Sequence, residues 1–229
     1  MKKTALVTIN LLIAYCGFAQ TMTIHYKNGQ NVKFNMESID FIDFQEKSDG
    51  GTTVTDGEVV DLGLSVLWAS FNVGATSCEQ FGDKFAWGET ETKSSYTIEN
   101  YIWYEPETLS YTFLGDDISG TDFDVAHVKW GGNWRMPTHS ELSELQSKCS
   151  WTWVNFNSIN GFKVIGPNGN SIFIPVNSSA RLWSSTLSKS TGSYRTAWVL
   201  RLDPSFTKNR IREYTDRHYD CYIRPVMSK

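Results

Sequence analysis

The side chains best suited to binding chemistry in this sequence lie towards its C-terminal end. Between residues 183 and 219 the chain carries aromatic rings and guanidinium groups in close succession. Tyrosine, tryptophan and arginine dominate binding hot spots, because rings offer rigid contact area and arginine donates several hydrogen bonds in a planar fork. The candidate ligand-binding residues are Trp183, Tyr194, Arg195, Trp198, Arg210, Arg212, Tyr214, Arg217 and Tyr219. The alternative interpretation of this segment is an ordinary polar hairpin with solvated charges.

Beyond its first 19 residues the chain contains three cysteines, Cys78, Cys149 and Cys221. An odd number allows at most one disulfide and leaves at least one thiol, and the pairing stays open. No Cys-x-x-Cys occurs, so the spacing matches no zinc ribbon. Arg217, His218 and Arg224 lie close in sequence to Cys221, and a nearby cation can lower the pKa of a thiol. A buried, inert thiol is the favoured interpretation.

Four carboxylates, Asp116, Asp117, Asp122 and Asp124, lie within nine residues of one another. Oxygen-rich loops bind calcium, but this spacing fits no EF-hand loop, and a solvated acidic loop is favoured over a calcium site. The four histidines show no metal-binding spacing, and no nucleophile-elbow, phosphate-loop or dinucleotide glycine motif occurs. We therefore predict no metal, no cofactor and no enzymatic activity.

Composition limits the class of protein that these residues belong to. The chain of 229 residues and 26.0 kDa is 40% hydrophobic and 20% charged, which is typical of a globular protein and excludes intrinsic disorder for most of it. A net charge of −4 argues against nucleic acid as the main partner, because such proteins need a basic surface. Aromatic residues make up an unusually large 14%, and all nine tryptophans follow residue 60.

The first 19 residues have the form of an export signal. A short basic head precedes an apolar run over residues 5–14, and small residues stand just before Gln20, where cleavage is predicted. The run is shorter than the roughly 20 residues of a membrane-spanning helix, and no second apolar segment follows, so we predict no transmembrane segment. Cys16 leaves a lipid anchor as an alternative to simple cleavage. Both routes place the protein outside the cytoplasm, in the periplasm, at the outer-membrane surface or secreted.

Residues 20–45 predict a small N-terminal β unit. Two short alternating segments flank Asn28-Gly29, a strong hairpin signal, and residues 39–44 suggest a third strand. So short a unit cannot bury a core of its own. Residues 46–57 are polar and rich in Gly and Thr, which predicts a linker to the domain at 58–229.

In the larger domain the sequence predicts an α+β fold with short strands, one or two helices and long loops. The clearest helix begins after Thr138, which forms a capping box with Glu141 and places Leu142, Leu145 and Cys149 on one face. A weaker helix is predicted over residues 122–129. The predicted strands are residues 162–165, 171–174, 183–185, 197–202 and 221–226, the first two flanking an Asn168-Gly169 turn.

Several separate blocks of this domain resemble, in the same order, the Fibrobacter succinogenes major paralogous domain family. The blocks are DLGLSVLWA (61–69), NVGA (72–75), FAWGET (85–90), WGGNWRMPT (130–138), CSWTW (149–153), GF (161–162), GPNG (166–169), WSS (183–185) and RPV (224–226). The resemblance covers roughly residues 58–227. It implies an exported protein of Bacteroidetes with a C-type-lectin-like fold, similar to formylglycine-generating, sulfatase-modifying domains.

The resemblance carries further implications. In C-type-lectin-like folds the C-terminal region resembles the ligand face, but the sequence triplets of calcium-dependent sugar binding do not occur here. Many family members carry a cysteine where this chain has Ser70, so the family disulfide to Cys149 is left open, with Cys78 or Cys221 as other partners. The tryptophans of the Gly-flanked blocks are expected to be mostly core: Trp68, Trp87, Trp134, Trp151 and Trp153.

We predict from these observations an exported, non-enzymatic binding or adhesion module. Its Tyr/Arg-rich C-terminal face would recognise a glycan or a protein surface outside the cell. The alternative is a structural component of a cell-surface assembly that pairs its N-terminal strands with the sheet edge of a neighbour. A cysteine-dependent, oxidase-like enzyme acting through Cys221 is the third hypothesis.

Overall fold

The computed structural model describes residues 21–25, 31–35, 59–189, 194–205 and 210–229, with the backbone alone for 21–25, 31–35 and 210–213. The chain divides into two compact units, Met1–Thr52 and Thr53–Lys229. Some sequence-based predictions lie outside the described residues. These are the export signal at 1–19 with Cys16, the third strand at 39–44 and the linker at 46–57.

In the first unit, β1 (Thr21–His25) and β2 (Asn31–Asn35) form an antiparallel pair. In the pairing register Ile24 lies opposite Val32, and Met22 lies opposite Phe34. The two strands predicted on either side of the Asn-Gly turn are thereby confirmed.

The described residues of the second unit form short strands and two helices, with a single 3-10 turn at Ile98–Asn100. These elements are β3 (Val59–Val60), β4 (Val66–Ala69), β5 (Tyr104–Glu105), β6 (Ser110–Tyr111), α1 (Val125–Trp130), α2 (His139–Lys148), β7 (Ser150–Phe156), β8 (Ile159–Ile165), β9 (Ser171–Pro175), β10 (Ala180–Ser188), β11 (Thr196–Leu202), β12 (Arg210–Asp216) and β13 (Val226–Ser228). They pair as three antiparallel three-stranded sheets, β13-β4-β3, β7-β8-β9 and β10-β11-β12, and the hairpin β5-β6. The predicted α+β class with short strands is confirmed.

Helix α2 begins where the capping box places it. The Thr138 hydroxyl accepts a hydrogen bond from the Glu141 backbone N–H, and the Glu141 carboxylate accepts one from the Thr138 N–H. Leu142 and Leu145 are fully buried, and Cys149, the residue that ends the helix, packs against the same core. The predicted apolar face is confirmed.

Helix α1 is shorter than predicted and begins three residues later. Asp124 is its N-cap, and the carboxylate accepts hydrogen bonds from the backbone N–H groups of Ala126 and His127. Val125 is buried as predicted, whereas Val128, one of two residues considered for the inner face, is half-exposed.

Strands β10 and β11 separate the two main hydrophobic cores. Leu182 and Leu200 face the core that contains the leucines of α2, while Trp183 and Val199 face the core that contains the first residues of α1. Because both faces of these strands are covered, apolar residues follow one another without the usual polar alternation. The predicted strands at 183–185 and 197–202 are confirmed within these longer strands.

The strand predicted over residues 221–226 is mostly wrong. Cys221 pairs with Phe85 and Tyr222 with Leu182, each as an isolated bridge, and a continuous strand starts only at β13. The segment changes partner at successive residues, so no regular ladder forms until its end. Its backbone instead connects parts of the domain that are distant in sequence.

No strand is predicted between residues 203 and 220, and this omission is also wrong. Residues 210–216 form β12, which pairs antiparallel with β11 and places Trp198 opposite Tyr214. The pairing register shifts between Val199 and Arg201, which marks a bulge.

The side chain of Arg224 is completely buried and joins three segments through hydrogen bonds. Its Nε donates to Asn72 Oδ1 (2.8 Å), Nη1 to the carbonyls of Ala69 (3.1 Å) and Ser70 (2.6 Å), and Nη2 to the Phe173 carbonyl (3.0 Å). Burial lowers the pKa of Arg224 because it penalises the charged form. Four oriented acceptors offset that penalty where no carboxylate does.

Glu144 on α2 fixes the loop between β3 and β4. Its carboxylate accepts hydrogen bonds from the backbone N–H of Ser65 (2.9 Å), from the Ser65 hydroxyl, and from Lys148 Nζ (2.8 Å). Burial disfavours the charged carboxylate, but the bonds from Lys148 and Ser65 outweigh it and lower the pKa of Glu144 from 4.5 to about 2. The folded state therefore favours the ionised form.

We predict that Glu144→Gln lowers the free energy of unfolding at neutral pH by about 1–2 kcal/mol, because it removes hydrogen bonds to a charged group. A depressed carboxyl pKa gives stability that is present above pH 4.5 and is lost as the pH falls towards about 2. The variant should therefore lose less stability than wild type on acidification. Urea unfolding followed by tryptophan fluorescence across the acid range measures this.

The matched control is Glu91→Gln, since Glu91 is strongly exposed and pairs only with Lys129 at 3.3 Å. It should leave stability within about 0.5 kcal/mol of wild type. An acid dependence of Glu144→Gln identical to that of wild type would contradict the assignment.

Candidate functional site

The nine predicted ligand-binding residues do not form one surface. Trp183 is fully buried, and its indole N–H donates to the carbonyl of Phe85 at 2.8 Å. Arg217 is likewise completely buried. Both are therefore corrected from ligand contacts to interior residues. Arg210 and Arg212 lie in β12, and their side chains are outside the described residues.

Five residues from three segments are linked by successive contacts and are here called the aromatic surface. Its members are Phe113, Tyr194, Arg195, Asp216 and Tyr219. Four of them are exposed, whereas the side chain of Asp216 is only 15% exposed. The rings of Phe113 and Tyr194 are 49% and 50% exposed and meet with centroids 4.6 Å apart and planes inclined by 42°. Phe113 follows β6 while Tyr194 precedes β11, so the contact joins residues 81 positions apart.

Arg195 and Asp216 lie on the two segments that carry Tyr194 and Tyr219, and they form a bidentate ion pair. Nε donates to Oδ1 at 2.9 Å and Nη2 to Oδ2 at 2.6 Å. The bond to Asp216 raises the pKa of Arg195. The two charges cancel, and the fork geometry fixes both side chains.

The guanidinium of Arg217 fixes the backbone of the two ring-bearing segments. Its Nη1 donates to the carbonyls of Thr112 and Tyr194, each at 2.8 Å. Thr112 directly precedes Phe113, so one buried cation is bonded next to both exposed rings. The Arg217 backbone N–H also donates to the Arg195 carbonyl at 3.0 Å.

Three aromatic rings surround the same guanidinium. Its Cζ lies 4.7 Å from the ring centroid of Trp87, 5.5 Å from that of Tyr101 and 5.8 Å from that of Tyr111. Burial lowers the pKa of Arg217, while Tyr101 acts in the opposite direction. Among the described residues, no hydrogen-bond acceptor meets Nε or Nη2. The cation therefore depends on ring faces, on two carbonyls and on its interaction with the Tyr101 side chain.

His218 supports the remaining ring of the aromatic surface. The ring of Tyr219, 44% exposed, lies on the imidazole with centroids 4.4 Å apart, and Nδ1 is 3.4 Å from the Tyr111 hydroxyl. Burial lowers the pKa of His218, which keeps the imidazole neutral at pH 7. The histidine adds no charge to the surface at that pH.

A second group of rings lies on the sheet beside α2. Half-buried Trp198 stacks on His139, with centroids 4.4 Å apart, and meets exposed Tyr214 edge to face at 5.9 Å. This Trp198–Tyr214 pair is built by the register of β11 and β12. The exposed and half-buried predicted residues thus divide between two groups, and no ring contact among the described residues joins the groups.

The sequence missed two members of the aromatic surface, Phe113 and Asp216. Phe113 lies far from the C-terminal segment in sequence, so no local pattern links it to Tyr194. Asp216 is one of four acidic residues between positions 203 and 221, and nothing in the local sequence singles it out as the partner of Arg195.

The cysteines do not form a reactive centre among the described residues. No disulfide joins Cys78, Cys149 and Cys221, and Cys221 is 1% exposed. Burial raises the pKa of Cys78 and of Cys149 to about 11. Reactivity requires the opposite shift.

The carboxylates of residues 116–124 do not come together as a calcium site requires. Asp124, expected to be solvated, is fully buried as the N-cap of α1, while Asp117 accepts hydrogen bonds from Ser119 and Thr186. Asp116 pairs with Lys189 at 2.8 Å. In the part of the chain that the structure describes, no group of three or more metal-binding side chains comes together.

Most family-block tryptophans are core, as predicted. Trp68, Trp87 and Trp134 are buried, Trp151 is half-buried, and Trp153 is the exception at 38% exposure. The Trp87 indole N–H donates to the carbonyl of Ser184 at 2.9 Å.

Comparison with known proteins finds no matching family model, no similar curated protein and no similar solved structure. The resemblance to the paralogous domain family and the C-type-lectin-like fold therefore stay predictions. None of the helices within the described ranges has the length and apolar character needed to cross a membrane.

We predict that Cys78 and Cys149 react with a maleimide roughly 100-fold more slowly in the native protein than in the unfolded chain at the same pH, because a pKa near 11 leaves little thiolate. Cys221 should stay unlabelled until the protein unfolds, because its side chain is buried. Labelling followed by peptide mass spectrometry measures each site. Fast native labelling at Cys221 would revive the oxidase-like hypothesis.

Proposed function

We propose that this protein is an exported, non-enzymatic binding or adhesion module on a C-type-lectin-like scaffold. It recognises a glycan or a protein surface outside the cell through the aromatic surface. The export signal at residues 1–19 delivers it to the periplasm, the outer-membrane surface or the medium. A lipid anchor at Cys16 is the alternative to simple signal cleavage.

The observation that carries the proposal is the exposed contact between Phe113 and Tyr194. Each ring leaves half of its surface in water, although the domain buries most of its other large aromatic residues. Contiguous exposed rings are informative because covering them with a ligand gains hydrophobic free energy. The adjacent pair Arg195 and Asp216 adds hydrogen-bond donors and acceptors that orient a ligand.

The position of Phe113 and Tyr194 in the chain is typical of binding residues rather than of core residues. Phe113 and Tyr194 lie outside the regular strands, on segments that a buried arginine holds in place. Binding residues commonly stand on loops that a rigid scaffold positions. The nearby cysteines and histidines do not supply an activated nucleophile, and this supports a binding role over an enzymatic one.

We predict that Phe113→Ala/Tyr194→Ala weakens binding at least tenfold to the strongest ligand found for wild type on glycan and protein arrays. Because both side chains are half-exposed, the variant should keep its thermal stability within a few degrees. Array binding followed by calorimetry measures the change in affinity.

The matched control is Tyr214→Ala, which removes a tyrosine of similar exposure from the Trp198–Tyr214 pair. It should bind as wild type does. If Tyr214→Ala loses binding while the double variant keeps it, the Trp198–Tyr214 pair is the site and the aromatic surface is not.

The structural-component hypothesis has one observation in its favour. The pair β1 and β2 has only two strands among the described residues, and an isolated two-stranded sheet is marginally stable in water. Pairing with the sheet edge of a neighbouring molecule would complete it.

Deletion of residues 21–45 tests that hypothesis. If the N-terminal strands serve assembly, the shortened protein should lose self-association or surface assembly in light scattering, while keeping the tryptophan fluorescence of the folded domain. Unchanged assembly after the deletion would contradict it.

A further inference from the structure

We infer that the aromatic surface binds the flat face of a neutral sugar ring, and that Arg217 is the positioning residue that fixes this surface before the sugar arrives. The inference rests on the proposed function, because it names the ligand class of the same site. It also assigns a role in binding to Arg217, a buried residue that would not contact the sugar.

The size of the aromatic surface favours a sugar over a protein partner. The residues Phe113, Tyr194 and Tyr219 are each about half exposed, which leaves roughly 300 Å² of their surface in water. A standard protein interface covers about 800 Å² on each partner. A few sugar rings match the smaller area, since their flat C–H faces stack on aromatic rings while their hydroxyls reach neighbouring polar groups.

The charge of the aromatic surface favours a neutral ligand. Arg195 and Asp216 neutralise each other in a bidentate pair, so the surface carries no net charge from them. Together they present both donors and acceptors, and sugar hydroxyls both donate and accept. An acidic sugar would have to separate the pair or leave its own charge without a partner.

Arg217 is an unusual choice for the interior if stability alone is considered. Its cation has no carboxylate partner among the described residues, and its Nε and Nη2 are buried without an acceptor. Three rings compensate the charge in part. Apolar residues of similar volume often replace buried ionic groups without loss of stability. A methionine would therefore suit the cage formed by Trp87, Tyr101 and Tyr111.

What methionine cannot supply is the bond to two separate segments. Arg217 Nη1 donates to the carbonyl of Thr112 and to that of Tyr194, so the backbones next to both exposed rings are tied to one atom. The rings therefore keep their 4.6 Å contact in the unliganded protein. A surface arranged in advance binds more tightly because the ligand need not order it.

The experiment uses the full mature protein and calorimetry with neutral hexasaccharides of glucose, xylose and mannose, and with an oligogalacturonate as the acidic probe. Wild type is expected to bind at least one neutral probe and not the acidic one. Phe113→Ala/Tyr194→Ala and Arg217→Met are each expected to weaken that binding at least tenfold. Tyr214→Ala is the control that keeps it.

Two further measurements separate positioning from a general structural role. Arg217→Met should unfold at the same temperature as wild type or higher, yet lose the nuclear Overhauser contact between the rings of Phe113 and Tyr194. Arg217→Lys keeps the charge and part of the carbonyl contact, so it should bind more tightly than Arg217→Met and more weakly than wild type. It is also the variant to use if Arg217→Met does not fold.

The outcomes distinguish this inference from the function on which it rests. Binding of a protein or an acidic glycan that depends on Phe113 and Tyr194 overturns the neutral-sugar assignment and leaves the proposed function standing. Binding that ignores both rings overturns both. Wild-type affinity in Arg217→Met, or in Arg217→Lys if the first variant is unfolded, overturns the positioning role.

Discussion

The hydrogen bonds of the buried Arg224 guanidinium are the interaction on which the rest of the domain depends. They join the C-terminal segment to residues 69–72, at and just after the end of β4, and to β9, and these three segments are far apart in sequence. The same C-terminal segment meets Phe85 and Leu182 through single bridges before it completes the β13-β4-β3 sheet. Because each contact is only one or two bonds long, a fully satisfied buried cation is what gives the segment a unique path.

Arg217 is equally buried, but its guanidinium has a different set of partners. Arg224 engages every guanidinium nitrogen, whereas Arg217 leaves two of them without acceptors and faces three rings instead. The first arrangement is expected of a residue that specifies the fold. Arg217 makes fewer hydrogen bonds, but it binds the carbonyls of Thr112 and Tyr194, which lie next to the exposed rings of Phe113 and Tyr194. It therefore links the interior to the exposed rings. The scaffold and the proposed binding surface therefore meet at one side chain.

The aromatic residues also divide into an interior group and an exposed group. Trp68, Trp87 and Trp183 fill the cores on either side of β10 and β11, and this explains why a domain with short strands contains so many large rings. Short elements leave irregular gaps that long loops must close, and large rings fill them. Apart from Trp153, the exposed rings of the described residues belong to two small groups, and the group around Phe113 is the one combined with an ion pair and a supporting arginine.

The sequence by itself determined the features that depend on a few neighbouring residues. The Thr138 capping box placed α2, and the Asn-Gly turns placed two hairpins, whereas β12 was not predicted. Tertiary structure alone decided that Trp183 and Arg217 lie inside and that Phe113 meets Tyr194. A ring or a guanidinium has the same local pattern whether it faces water or a core. Only contacts between segments that are distant in the chain decide whether the side chain is buried or exposed.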